Sequence, residues 1–376
     1  MKKNKVVTIL LLVVLLLVTI TTKIEVFADT ISSPSKGMVV IEGNTNTLLY
    51  GHNENAELPM ASTTKIVTAI LAIENCENLE EKFTVSEKSI GIEGTSIYLK
   101  SGEQLSMREL LYGLILASGN DCAMAIAEYF DGVDNFVVMM NNFATNLGLT
   151  HTHFKNPHGL DEDGHYTSAY DLAIMTSYAL KNPIFKEIVS TERMIIEKTD
   201  LYFARYLKNK NRLLFVDKNC VGVKTGFTDN AGRCLVNAHE EDGMQIISVV
   251  LNCQPMFEEC NRLTNLAMEN YMMKKFIKPY NFVSNIEILD SQKAEIGVIT
   301  IKGFSIPIKK SEESKYEVKY IMPDSLVAPI SLNQSVGKVQ VLYNNEVIYE
   351  GDLITIEGAK NNNMKYLFDN IIDKWF

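Results

Sequence analysis

Three short polar strings limit the folds open to this chain more than anything else in it: Ser62-Thr63-Thr64-Lys65, Ser118-Gly119-Asn120 and Lys224-Thr225-Gly226, in that order. The first opens an apolar segment with helical spacing, the second falls where one apolar helix ends and another begins, and the third interrupts an apolar strand. For the three to act together, a helix start, an interhelical turn and a strand must converge on one pocket. That pocket would hold two ammonium groups and two alcohols.

Ser62 precedes Ile66, Val67, Ile70 and Ile73, whose spacing follows the 3.6-residue period and predicts a helix starting near Ser62. Residues i and i+3 of a helix share a face about 4.5 Å of rise apart, so the Lys65 amine can reach the Ser62 hydroxyl. Serine is a poor nucleophile until a base takes its proton. Lysine can do so if burial and a nearby positive charge depress its pKa, and Lys224 would be such a charge. A helix start also aims backbone N–H groups at a developing oxyanion. Two other Ser-x-x-Lys strings, at 33–36 and 335–338, lack this context, since Pro34 interrupts one and Gly337 follows closely in the other within a β-pattern.

Ser118 can relay a proton between Lys65 and a leaving amine, and Asn120 can hold Lys65 and a substrate amide, although Ser-Gly-Asn alone would equally suit an ordinary turn. Lys224 and Thr225 break the alternation expected of an interior strand, and binding a substrate carboxylate is one reason for them. Gly226 would let an extended peptide lie along the strand. The N–H of Phe227 would then be a second oxyanion donor beside that of Ser62.

The rest of the chain reads as follows. Lys2, Lys3 and Lys5, an apolar run at 6–20 and Val26-Phe27-Ala28 form an export signal at 1–28, cleaved after Ala28; the run is short for a retained membrane anchor. Its removal takes away four lysines and one glutamate, moving the formal charge from −10 to −13, and so acidic a chain argues against nucleic acid as a partner. With 46% apolar residues, the remainder can bury one core and a second. Residues 38–41 and 47–50 form a hairpin. A helical block follows, with capping boxes at Ser106-x-x-Glu109 and Ser168-x-x-Asp171 and a helix capped by Asp134 and closed by Gly148. Strands at 221–227, 233–238 and 244–251 are antiparallel neighbours, and a helix at 260–276 completes an α+β domain spanning 29–278 with an antiparallel sheet at its centre.

Beyond Pro279, short alternating runs predict a small β-rich domain at 279–358. At 359–376 a polar tether leads to Met364, Leu367, Phe368, Ile371, Ile372 and Trp375 on one helical face. Thirteen residues rise only about 20 Å, too short to span a bilayer but suited to lying in a membrane surface. The alternative is a terminal helix docked on its own domain. The six cysteines lack the spacing of a disulfide scaffold or a zinc site, His151 and His153 lack a third ligand, and no cofactor is implied. Lys208-Asn209-Lys210-Asn211-Arg212 reads as a solvated face, with contact to the substrate peptide as the alternative, and His158 as a loop-ordering residue.

Taken together, the three strings, their order, Pro157-His158-Gly159-Leu160-Asp161 and the extension Phe227-Thr228-Asp229 resemble the D-alanyl-D-alanine carboxypeptidases among the low-molecular-mass penicillin-binding proteins. The resemblance implies an α+β fold: a penicillin-binding, β-lactamase-like domain with a central antiparallel sheet and a helical subdomain, then the small all-β domain and the amphipathic helix. It also implies Ser62 as acyl-ester nucleophile, Lys65 as proton acceptor, Ser118 as third catalytic residue and Lys224 as a substrate contact. The partners implied are peptidoglycan stem peptides and β-lactams. One departure stands out: the loop at 252–260, where such enzymes often place a carboxylate-holding arginine, contains none, and Arg262 is the nearest. Carboxylate recognition is therefore expected to rest on Lys224 and Thr225. Two competing readings share the acylating parts. A β-lactamase needs a carboxylate for deacylation, yet Asp161, Glu162 and Asp163 do not form the Glu-x-x-Leu-Asn arrangement. A penicillin-binding sensor or wall-binding module would acylate without turnover.

Overall fold

The computed structural model describes residues 29–362, so the export run and the terminal amphipathic segment lie outside the described residues. Two compact units divide between Met273 and Lys274.

The first unit is built on a sheet of six strands: β1 (Asp29–Thr30), β2 (Gly37–Glu42), β3 (Thr47–His52), β4 (Cys220–Thr228), β5 (Gly232–Glu241) and β6 (Met244–Leu251). Their order is β1-β3-β2-β6-β5-β4, antiparallel throughout except that β1 runs parallel to β3. The expected hairpin and the expected trio of strands are both present. β2 and β6 are buried along their whole length. Their side chains point alternately to opposite faces: Val39, Ile41, Ile247 and Val249 join one core, and Met38, Val40, Ile246 and Val250 join another. Two covered faces explain why these strands read as unbroken apolar runs.

On one face lie α1 (Lys65–Asn75), α2 (Met107–Tyr112), α3 (Asn120–Tyr129), α4 (Val133–Asn146), α5 (Ala169–Leu180) and α6 (Pro183–Ser190); α7 (Met256–Asn270) covers the other. Every residue of α1 from Lys65 to Ile73 is buried, not only the expected stripe. A helix apolar on all sides is the signature of a central position, and α1 carries the first polar string into the middle of the unit.

Several local expectations are corrected. The reciprocal capping box at Ser106 and Glu109 is present. Ser168 does cap α5, accepting the Asp171 N–H, but the Asp171 carboxylate takes the His151 N–H and the Thr152 hydroxyl instead of reaching back. Gly132, at φ +99°, occupies the cap position before α4, which leaves Asp134 in the first turn, where its charge suits the helix dipole; Gly148 closes the helix at φ +73°. The helix expected at 260–276 begins earlier and ends at Asn270. Tyr271–Ile277 is a strand, and Tyr271 is buried with its ring edge-on to Tyr50 at 5.6 Å. β4, expected inside the sheet, is its edge.

The second unit holds a six-stranded sheet of β7 (Phe282–Leu289), β8 (Glu295–Thr300), β9 (Tyr316–Ile321), β10 (Ser325–Val327), β11 (Ser335–Tyr343) and β12 (Glu346–Thr355), ordered β9-β11-β12-β8-β7-β10. Ile286, Val298, Val339, Val341 and Leu353 form its core. Among the described residues no helix is long and apolar enough to cross a membrane.

Candidate active site

Ser62 lies in a 3₁₀ turn, Ala61–Thr64, and the α-helix begins only at Lys65. The tighter turn has a local cause. The Thr63 and Thr64 hydroxyls donate to the Met60 and Ala61 carbonyls at 2.6 and 2.8 Å, the back-bonding by which threonine competes with regular helix. In a 3₁₀ turn side chains at i and i+3 eclipse, and Lys65 Nζ meets Ser62 Oγ at 2.8 Å. Ala61, one residue before the serine, has φ +48°, so the chain bends sharply into the turn.

Lys65 is wholly buried, and its Nζ also contacts Asn120 Oδ1 and the His158 carbonyl, each at 2.7 Å. Burial, offset in part by Cys122 and Asp121 and reinforced by Lys210, pulls its pKa down to about 7. The carbonyl of His158 is delivered by the Pro157–Asp161 loop. Pro157 accepts from the Thr68 hydroxyl at 2.6 Å, and Gly159, at φ +90°, passes so close to the Ser62 turn that a Cβ would lie 1.9 Å from the Ala61 carbonyl oxygen. Only glycine fits there. His158 orders the loop through its Nδ1, which accepts the Leu160 N–H; burial and the neighbouring Lys65 lower its pKa to about 3, so it is a neutral imidazole.

Ser118 ends a π-helical turn, Gly113–Ala117, in the left-handed conformation at φ +66°. Asn120 opens α3; its N–H donates to the Thr95 carbonyl and its Nδ2 to the Glu93 carbonyl at 2.7 and 2.6 Å, which fixes Oδ1 toward Lys65. From the sheet side, Lys224 is buried and donates to Ser118 Oγ at 3.0 Å and to the Thr225 carbonyl at 2.8 Å. Burial, then the charges of Lys65 and Lys210, hold its pKa well below the ordinary lysine value. Gly226 has a role beyond the expected one: a Cβ there would stand 3.0 Å from the Met60 carbonyl oxygen and 3.1 Å from Ser62 N, so its missing side chain lets β4 close on the serine turn.

The expected residues therefore converge. Ser62, Lys65 and Asn120 form one hydrogen-bonded group and Ser118 and Lys224 another, while Thr225, Gly226 and Phe227 line the same cleft of ≈760 Å³ as Ser62 and Ser118. Lys210, Arg212 and Arg233 also line it. The first two belong to the 208–212 run, which passes the cleft and is not simply a solvated face: Lys210 Nζ lies 3.2 Å from Thr95 Oγ1, and the Arg212 guanidinium stands over the Phe257 ring at 5.5 Å. Arg262 is committed elsewhere, to Glu259 and the Ser32 carbonyl. All six cysteines are free thiols, five of them buried. Among the described residues no group of three potential metal ligands is gathered.

A buried lysine against a serine, a second lysine on a second serine and an edge strand beside them have the arrangement that serine acyl transfer requires, on an α+β domain. The family model described as D-alanyl-D-alanine carboxypeptidase matches residues 23–255, and that of the penicillin-binding protein 5 C-terminal domain matches residues 271–360. The chain is 35% identical over 338 residues to the D-alanyl-D-alanine carboxypeptidase DacF of Bacillus subtilis, covering 87% of this chain and 86% of that one. Among solved structures it is similar to penicillin-binding protein 5 from Haemophilus influenzae (TM-score 0.72, 26% identity, 88% of this chain and 99% of that one) and to the Streptomyces K15 DD-transpeptidase (TM-score 0.60, 30% identity, 63% and 98%). The chain belongs to the D-alanyl-D-alanine carboxypeptidase family of serine peptidases.

Proposed function

We propose that Ser62 attacks the carbonyl between the two terminal D-alanines of a peptidoglycan stem peptide, that terminal D-alanine leaves, and that water then frees the shortened peptide. The observation that carries this reading is the 2.8 Å contact between Ser62 Oγ and a wholly buried Lys65 amine of depressed pKa. Proton counting gives the contact its direction. A neutral amine has two N–H donors and one lone pair, and two of the three Nζ neighbours, Asn120 Oδ1 and the His158 carbonyl, can only accept. The lone pair is left for the Ser62 hydroxyl, so the neutral lysine is already oriented as a general base.

The remaining roles follow from the same geometry. The N–H groups of Ser62 and Phe227 stabilise the oxyanion. Ser118 Oγ accepts from Lys224, so its own proton is free to go to the leaving amine, and Lys65 replaces it with the one taken from Ser62. Asn120 holds Lys65, and Lys224 and Thr225 face the substrate carboxylate. β-Lactams, which present a strained amide to the same serine, acylate it too.

A β-lactamase reading is disfavoured because the exposed Asp161, Glu162 and Asp163 do not form the Glu-x-x-Leu-Asn arrangement, Asp161 being turned to the Thr228 hydroxyl and Glu162 to Asn156. The sensor reading differs only in deacylation. Incubating the protein with diacetyl-lysyl-D-Ala-D-Ala and assaying free D-alanine separates the two: release by the wild type and not by Ser62→Ala supports the peptidase, whereas a stable penicillin adduct without release supports the sensor.

Export by residues 1–28 and peripheral attachment to the outer face of the cytoplasmic membrane through 359–376 complete the proposal, the latter resting on the apolar face of the tail. Deleting 359–376 moves the protein from membrane to soluble fractions; unchanged partitioning refutes the anchor.

A further inference from the structure

A peptide that ends in a free carboxylate needs a cation at the far side of the scissile bond, and Lys224 is poorly placed to supply it alone. Its Nζ is buried, already donates to Ser118 and to the Thr225 carbonyl, and is held well below the ordinary lysine pKa by burial and the neighbouring lysines. The loop at 252–260 has no arginine. Arg262 spends its guanidinium on Glu259 at 2.7 and 2.8 Å.

Arg233 is differently situated. It stands on β5 directly opposite Phe227, with Thr225 opposite Leu235. Residues two apart on a strand share a face, as do directly opposed residues, so Thr225, Phe227 and Arg233 lie on one side of the β4–β5 ladder. Arg233 and Thr225 are diagonal neighbours, about 7–8 Å apart at the backbone, within the span of an arginine side chain. The Arg233 guanidinium carbon stands over the exposed Phe227 ring, 5.4 Å from its centroid, and the residue lines the cleft with no acidic partner among the described residues. A guanidinium resting against a ring makes no hydrogen bond to it, so its N–H groups stay available for bidentate contact with a carboxylate. A hydrogen bond across the loop joins this arginine to the segment that lacks one, since the Cys253 N–H donates to the Arg233 carbonyl at 2.8 Å.

We propose that Arg233 is a specificity-determining residue that grips the terminal carboxylate of the substrate together with the Thr225 hydroxyl, Phe227 serving as the platform that orients it. This rests on the peptidase reading above. It makes the preference for a free C-terminus a property of the second strand of the ladder instead of the loop that follows the third.

The test compares diacetyl-lysyl-D-Ala-D-Ala with the same peptide ending in a carboxamide, measuring release of D-alanine or D-alaninamide. Losing a charge-assisted, bidentate contact lowers the acid-to-amide ratio of kcat/KM by about 10- to 100-fold in Arg233→Gln, while Arg233→Lys recovers part of it. Arg212→Gln, which removes a neighbouring cation of the cleft, leaves the ratio unchanged. Equal losses on both peptides in Arg233→Gln, no loss on either, or a collapse of the ratio in Arg212→Gln instead, overturns the assignment. If the wild type releases nothing from either peptide, the failure belongs to the peptidase reading, and fluorescent-penicillin labelling of Ser62 shows whether the site still acylates.

Discussion

The pKa of Lys65 makes a prediction that can be followed over five pH units. An ordinary lysine with a pKa of 10.5 is neutral in only about 0.03% of molecules at pH 7, whereas one at about 7 is neutral in roughly half, a gain of about three orders of magnitude in competent base. That gain corresponds to about 5 kcal/mol of differential interaction between the two protonation states, supplied chiefly by burial. If neutral Lys65 takes the Ser62 proton, the second-order rate of acylation by a fluorescent penicillin, followed by stopped flow from pH 5 to 10, falls about tenfold per unit below pH 6 and levels off above pH 8. His158 is the rival base within the loop. Its pKa of about 3 leaves it neutral over the whole range, so it produces no inflection there, and His158→Gln keeps the midpoint near 7. A rate independent of pH between 5 and 9, or a midpoint near 10, would refute the argument. Linkage gives an independent check with a definite sign. The folded pKa lies below the unfolded one, so between pH 7 and 10.5 the unfolded chain binds more protons and the Lys65 contribution becomes less destabilising as pH rises. The stability of the wild type relative to Lys65→Met, from urea midpoints, should therefore increase from pH 7 to 10.

Three further outcomes follow from neighbouring residues. Lys210→Gln removes a charge that helps depress Lys65, so the midpoint of the same acylation profile moves upward; a downward shift contradicts the electrostatic account. Gly159→Ala places a Cβ against the Ala61 carbonyl in a left-handed conformation, and should lower stability by about 2–5 kcal/mol and slow acylation, both read on the purified protein. Glu103, although burial pushes its pKa up, is held below the usual carboxylate range by Arg205, which it grips with two contacts of 2.8 Å. Glu103→Gln leaves that guanidinium buried without its counter-charge and should cost about 3–5 kcal/mol by chemical denaturation.

How much of this was legible in the sequence depended on how local the cause was. Ser62, Lys65, Asn120 and Lys224 could be named because their strings open, join or interrupt apolar periodic segments, and such boundaries are visible without coordinates. The order of strands was not visible. β4 reads as an interior strand because its residues 223–225 are buried, but the helical face and Ser118 cover it, not a further strand, and its outer edge stays open. Arg233 escaped notice for the opposite reason: an exposed arginine next to a turn breaks no pattern, and only the pairing register shows that it faces the cleft. The threonines after Ser62 carried a signal that periodicity overlooks, since consecutive β-branched hydroxyls favour the tight turn that delays the α-helix to Lys65.

The two alcohols of the cleft, Ser62 and Ser118, share a backbone device. Ser118 itself sits at φ +66° and Ala61, before Ser62, at φ +48°, conformations costing on the order of 1 kcal/mol or more each for residues with a Cβ. Neither position is a glycine, and neither is surface turn: Ala61 and Ser118 are 1% and 4% exposed. Such strain persists only where the surroundings over-determine it, and here they do. Gly159 and Gly226 let the Pro157–Asp161 loop and β4 close on the Ala61–Ser62 backbone, while Lys224 and the hydrogen bond from the Gly119 N–H to the Gly113 carbonyl fix the Ser118 turn. The bends turn two short side chains out of helical elements and into the cleft, where a regular helix would lay them along its flank. The glycines are thus required less for their own flexibility than for the inflexibility they impose on the serines. Replacing Ala61 by glycine tests this directly. It relieves the strain, so if strain were merely tolerated the protein would become more stable with acylation unchanged. If the bend is held by its neighbours in order to aim Ser62, stability rises little and the acylation rate falls as the turn gains alternatives.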